Sequence, residues 1–450
     1  MKRGVSRIGY ALALLAMVLH LGCTQKKPAQ FTEQDVAVAW GKMALYVTQY
    51  TPSNSPTFAS RAFAYIGLAM YESVVDGYGS HQSMQGQLTE LDRLPKPDTK
   101  LSYDWVLSLN AAQASILKNI YLQTSDENKL RIDSLETVIY DHFSENIEDE
   151  VVQRSVAYGK SVAETIFEWS KSDGGHRAYL KNFDKTLVHP DRPGSWKPPL
   201  FAQSFSHRPL HPHWGENRRF VAANDSLPFP DFIPYDTVPG SPYYEEFLQV
   251  YEKDLELTQQ EKEAAIWWGD DPDVSFTPPG HSFYIATLAL KQSNPSLIQC
   301  TEVYAKTGIA VADAFINCWE MKYHFFTERA NTFVPKYIDE EWESFWPDPP
   351  FPAFPSGHAI QAAAAATVLE DAFGKKFHFT DRAHEGRERD DVRDTDFVIR
   401  EFRSFWEAAQ ETADSRFYGG IHTPIDNRVG LKEGVKIAKN VIALHWEKER

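Results

Sequence analysis

With 450 residues, 42% hydrophobic and 13% aromatic, the chain can bury one large core or two smaller ones, which excludes a disordered protein. Its formal net charge of -16 excludes nucleic acid and anionic membrane surfaces as partners. An anionic ligand would therefore need a local cluster of positive groups in an acidic protein.

The first element is a targeting segment. Lys2, Arg3 and Arg7 form a basic region, and residues 8–22 form an apolar run too short to span a bilayer. Leu21-Gly22-Cys23 resembles a bacterial lipoprotein cleavage site, with His20 where such sites usually carry leucine. The expectation is a signal peptide over 1–22, Cys23 as a lipidated first residue, and export to the periplasm or outer membrane. Secretion after another cleavage is the alternative. Two cysteines remain, Cys300 and Cys318. A helical pattern separates them too widely for a disulfide, so both are expected to be small buried residues.

Beyond the leader nearly every periodic segment has a helical period, which predicts an all-α fold. Residues 30–182 form an N-terminal helical region, with one helix beginning after Pro56 and others over 104–122, 127–146 and 148–171. Residues 183–242 are rich in proline and aromatics and read as an ordered connection. A C-terminal helical bundle over 243–450 should contain helices at 243–270, 281–292, 299–328, 356–373, 396–416 and 427–447. Between them, 376–395 reads as a solvated loop of alternating acids and arginines.

Three motifs in the C-terminal bundle carry chemistry. In KYHFFTER, Lys322 and Arg329 are seven residues apart, almost two helical turns, and share one face. The apolar residues between them make that face a buried one, and buried cations require an anion. In FPAFPSGHAIQAAAAA, Ser356 is an N-cap placed after Pro355. The free amides of Gly357 and His358, the helix dipole, a hydroxyl and an imidazole then point one way, as in an anion site. A capped helix with an incidental histidine is the plain alternative. In SRFYGGIHTPID, Arg416 ends a helix, Gly419-Gly420 permits a bend, and Asp426 can bond the second ring nitrogen of His422. A helix end with a core histidine is the alternative there. Together the motifs could enclose a tetrahedral or trigonal oxyanion. His211 and His213 lie in a loop with no nearby carboxylate and read as structural.

These spacings resemble a known superfamily, the vanadium-dependent haloperoxidases together with the acid phosphatases, type 2 phosphatidic acid phosphatases included, that share their pocket. Ala330 stands where the family usually has proline. The resemblance implies vanadate as cofactor, its equatorial oxygens held by Lys322, Arg329, Ser356, Gly357 and Arg416. It implies His422 as axial vanadium ligand and His358 as the acid/base, with Lys322 the donor to bound peroxide. The segment WWGDDPDVSFTPPGHSFY resembles the haloperoxidase stretch before the first motif, and by that match Asp270 would pair with Arg416. Trp319 and Phe351 match positions lining the halide side. SRAFAYIGLAMYESV and the chain length are similar to a bacterial branch that includes iodide peroxidases. The expected partners are hydrogen peroxide and a halide, iodide ahead of bromide and chloride, with an organic acceptor of hypohalous acid beyond them. Two alternatives stay open: a vanadate-inhibited phosphatase with His422 as nucleophile, and a non-catalytic oxyanion-binding lipoprotein.

Overall fold

The computed structural model describes residues 31–198, 208–272 and 274–448. The expected leader and Cys23 lie outside these residues. Helices dominate. The N-terminal region contributes α1 (Glu33–Gln49), α2 (Pro56–Glu72), α3 (Trp105–Ile120), α4 (Asp126–Ser144) and α5 (Asp149–Ser170). The second half contributes α6 (Pro242–Leu255), α7 (Gln259–Trp267), α8 (Thr277–Ser293), α9 (Leu297–Phe325), α10 (Ala330–Tyr337), α11 (Gly357–Phe373), α12 (Phe405–Tyr418) and α13 (Pro424–Ile442). Strands β1 (Phe379–Asp381) and β2 (Arg400–Phe402) pair antiparallel, Phe379 opposite Phe402. No helix among the described residues is long and apolar enough to cross a membrane.

From Glu33 onward the described residues form one unit, with a single large core drawn from both halves. The reason is visible where α2 crosses α9. A Cβ on Gly67 would fall 2.5 Å from the Tyr304 carbonyl oxygen, and one on Gly308 equally close to that of Phe63. Glycine on both helices lets the backbones touch, and α2 is buried along its whole length. A similar contact brings α13 onto α11, where a Cβ on Gly434 would meet the Ile360 oxygen at 2.1 Å.

Local chemistry explains where the elements depart from expectation. The single helix expected over 243–270 is two, because Thr258 and Glu261 form a capping box that starts α7 afresh. The helix expected over 396–416 starts only at Phe405, after β2, where Ser404 caps it. Helices α1 and α10 were not among those expected. The expected solvated loop over 376–395 is a correction of greater weight. It opens on β1, and its Asp381 and His384 are buried. Cys300 and Cys318 are free and buried, as expected.

Candidate active site

Ser356 is the N-cap of α11, and its side-chain oxygen accepts from the Ala359 amide at 3.4 Å. Its own backbone N–H donates to the carbonyl oxygen of Asp426 at 3.1 Å. The first turn of α13 thus braces the first turn of α11, and Asp426 joins two of the motifs. The same residue's carboxylate accepts from His422 Nδ1 at 2.9 Å and from the Thr423 amide at 3.2 Å. With its hydrogen on Nδ1, His422 presents the lone pair of Nε2 to the interior.

The three motif cations are all buried: Lys322, Arg329 and Arg416 are at most 1% exposed. Among the described residues none has a carboxylate within ion-pair distance. Backbone carbonyls hold two of them instead. Lys322 directs its ammonium to the oxygens of Pro352, Ala353 and Pro355 at 2.9, 2.6 and 2.7 Å. Arg329 donates to Phe351, Ile421 and Pro352 at 3.1, 2.7 and 3.3 Å. Arg416 donates to Ser415 Oγ at 3.0 Å and to the Ala265 carbonyl, while its Nη1 has no partner. His358 Nε2 is likewise buried and unpartnered.

The titration of His422 shows that these groups converge. Burial holds its ring well below the ordinary histidine value, and Arg329, Lys322, His358 and Arg416 depress it further. Burial and the Arg416 charge do the same to His358. Burial, helped by the Arg329 charge, brings the Lys322 ammonium down to about 7, and burial with the Arg393 charge brings Arg416 to about 10. Each uncompensated buried cation costs several kcal/mol, a cost that a bound oxyanion relieves. An orphaned guanidinium nitrogen, an orphaned imidazole nitrogen, three unpaired cations and a helix N-terminus together fit a tetrahedral oxyanion.

Above His358 and His422 opens a chamber of about 350 Å³ whose walls include Phe315, Trp319, Phe351 and Pro350. Trp319 and Phe351 lie with ring centroids 4.9 Å apart, and Lys322 sits 5.2 Å from the Phe351 ring centre. Both residues line the chamber. Asp270 is a correction. It makes no ion pair with Arg416; its carboxylate binds His281 Nδ1 at 2.7 Å and His384 Nε2 at 3.1 Å. Asp271 is the acid with the largest influence on Arg416. His211 is buried against Thr57 and the Ala178 carbonyl, whereas the ground for setting His213 aside is a correction: its ring faces Glu216 at 2.8 Å and Asp184 at 3.5 Å.

Sequence reasoning missed His281, Asp381 and His384. His281 lies inside the quoted segment 267–284, but nothing local marks its two carboxylate partners. Phe379 and Asp381 both point inward on a three-residue strand, too short an alternation to read.

Comparison with known proteins agrees with this fold. Residues 302–447 match the family model of the VCPO second helical-bundle domain. A crystal structure of a bacterial vanadium-dependent iodoperoxidase is 31% identical, covers 92% of this chain and 97% of its own, and superposes with a TM-score of 0.77. Bacterial vanadium-dependent chloroperoxidases in holo and apo forms are 14% and 13% identical over 92% of this chain. They cover 95% and 94% of their own chains, with TM-scores of 0.64 and 0.62, and show the fold alone. None of the curated proteins compared matches the chain. The chain, 31% identical to the iodoperoxidase over 92% of its length, belongs to the vanadium-dependent haloperoxidases, whose cofactor is vanadate.

Proposed function

We propose that this protein oxidises iodide with hydrogen peroxide, yielding hypohalous acid, in a vanadate pocket made by Lys322, Arg329, Ser356, Gly357, Arg416, His358 and His422. The observation that carries it is a set of three buried cations without carboxylate partners that all act on His422, beside the unpartnered nitrogen of His358. Vanadate bound there supplies a Lewis-acidic centre that activates peroxide toward halide. The protein's own groups do the rest. Arg329 and Arg416 neutralise the oxyanion's charge, and the amides of Gly357 and His358 offer donors at the start of α11. Lys322 acts first through its charge, because its three N–H groups already face carbonyls. His422 Nε2, aimed by Asp426, would hold the vanadium. His358 Nε2 takes and returns the proton that peroxide must lose. We further propose export and lipid anchoring through Cys23, consistent with the basic and apolar leader.

Iodide is favoured over the other halides because a relative 31% identical to the chain is an iodoperoxidase, and because iodide is the easiest of them to oxidise. With vanadate present, kcat/KM should fall at least about tenfold from iodide to bromide, a difference of about 1.4 kcal/mol. Chloride should give no turnover. Bromide oxidation equal to or faster than iodide oxidation would reverse the assignment.

Lys322 gives the pocket a pH dependence. Its charged form is favoured by a bound anion, while burial holds the free pocket's ammonium at about 7. Below that pH the lysine is charged before binding. Above it each binding event must take up a proton, so affinity falls by up to about tenfold per pH unit. Orthophosphate affinity measured from pH 6 to 9 should show this decline in the native protein. In Lys322→Arg it should be much flatter, since arginine stays charged and carries the same anion titration as its own reference. Identical slopes in the two proteins would remove Lys322 from the pocket's electrostatics.

A further inference from the structure

Behind the pocket lies a buried cluster that the reaction as described does not use. His281, on α8, has both ring nitrogens on carboxylates: Nδ1 on Asp270 at 2.7 Å and Nε2 on Asp381 at 2.7 Å. Both partners and the ring are at most 2% exposed. An imidazole placed between two carboxylates donates from both nitrogens and so carries a charge. Burial works against that charge, but the two carboxylates outweigh it and lift His281 to about 10. Asp381 also accepts from Trp267 Nε1 at 2.8 Å, and the Trp268 ring lies 4.4 Å from that of His281. Asp270 itself sits at a φ of 48°, a left-handed conformation that its two histidine contacts hold in place.

The contacts of Trp267, Trp268 and Asp270 fall on one short segment, 265–271, and that segment faces the pocket. The carbonyl of Ala265 accepts from Arg416, and the carbonyl of Trp268 favours the charged form of the His358 ring. Gly269, Asp270 and Asp271 line the chamber. We propose that His281 is a positioning residue, an imidazolium clamped between Asp270 and Asp381 that fixes the backbone on which Arg416 and His358 are aimed. It touches neither substrate nor cofactor, and it acts through the 265–271 carbonyls. The inference rests on the assignment of Arg416 and His358 to the vanadate pocket.

Asp270, His281 and His384 also lie close enough together to suggest a metal site. The hydrogen bonding argues otherwise. Arg387 Nη1 faces His384 Nδ1 at 3.4 Å, which needs a lone pair on Nδ1 and puts the ring hydrogen on Nε2, the atom facing Asp270. Two carboxylates against His281 and Arg387 already balance in charge.

The test is equilibrium binding of orthovanadate to full-length protein expressed without vanadate, in native, His281→Gln, Asp381→Asn and Arg416→Ala forms. Affinity per folded molecule should drop at least about tenfold in His281→Gln and in Asp381→Asn, although neither residue touches the pocket. Folded variants that bind within about twofold of the native protein would overturn the proposal, leaving a network that only supports the core. Native protein that fails to bind, or Arg416→Ala that binds as well as native, would defeat the pocket assignment itself, and the clamp with it. Should both variants fail to fold, the native protein still decides. Its nitrogen-15 histidine spectrum at a pH two units above the ordinary histidine value should retain one doubly protonated ring, and the absence of any would overturn the clamp. Stoichiometric transition metal in the purified protein, with vanadate affinity lost on chelation, would overturn it in favour of a metal site.

Discussion

Replacing His358 by alanine should lower iodide oxidation by about 10²- to 10⁴-fold, the range expected for loss of a positioned acid/base group. Vanadate affinity should stay within a few-fold of native. The division follows from where the side chain stands. His358 Nε2 has no protein partner, so removing the ring strands no other buried group on that side. The α11 cap is made by Ser356, and alanine at the second helical position favours the helix, so the amides that face the oxyanion remain. The ring's depressed titration keeps it neutral at working pH, as a proton acceptor must be. Steady-state kinetics beside direct vanadate binding separate the two effects. Native turnover in His358→Ala would remove the acid/base role, and lost vanadate binding would recast His358 as a binding residue.

His422→Ala should abolish vanadate binding at concentrations that saturate the native protein, a loss above about 100-fold, and halide oxidation with it. Changes to residues that only support a metal ligand typically cost 10- to about 100-fold, so losing the ligand should exceed that. Asp426→Asn supplies the calibrated partner. It keeps the backbone carbonyl that receives Ser356 N–H but no longer fixes the hydrogen on His422 Nδ1. It should fall in the 10- to about 100-fold range. Burial raises the Asp426 carboxyl to about 6, so below that pH the native protein should drift toward the same weakened state. Vanadate affinity read by competition against phosphate would show the ordering native, Asp426→Asn, His422→Ala. Equal affinities for native protein and His422→Ala would exclude this histidine as ligand.

The sequence made the pocket legible because oxyanion binding demands particular residue types at positions that helices translate into directions. Ser356 caps a helix where a proline precedes it, and Asp426 stands one turn past His422; both local relations are present in the fold. The shared face of Lys322 and Arg329 is a correction: α9 ends at Phe325, Phe326 is left-handed, and Arg329 reaches the pocket as the extended N-cap of α10. What escaped was non-local. Asp270 looked like the partner of Arg416, but the fold brings Asp381 and His384 from more than 90 residues downstream, and they capture His281 and Asp270 first. The loop that carries them reads as solvated because its outward residues, Arg382, Glu385 and Glu388 among them, are charged. Only pairing with β2 turns Asp381 inward. The break at Thr258 carries a Thr-x-x-Glu signature, the local pattern of a helix start.

The most direct test of the central claim is iodide oxidation by the purified mature protein with hydrogen peroxide, with and without added orthovanadate. Phosphate as competitor and a generic phosphate ester as alternative substrate would be run beside it. Triiodide formation that requires vanadate and is suppressed by phosphate is the predicted result. Ester hydrolysis inhibited by vanadate, with no oxidation of any halide, would contradict it.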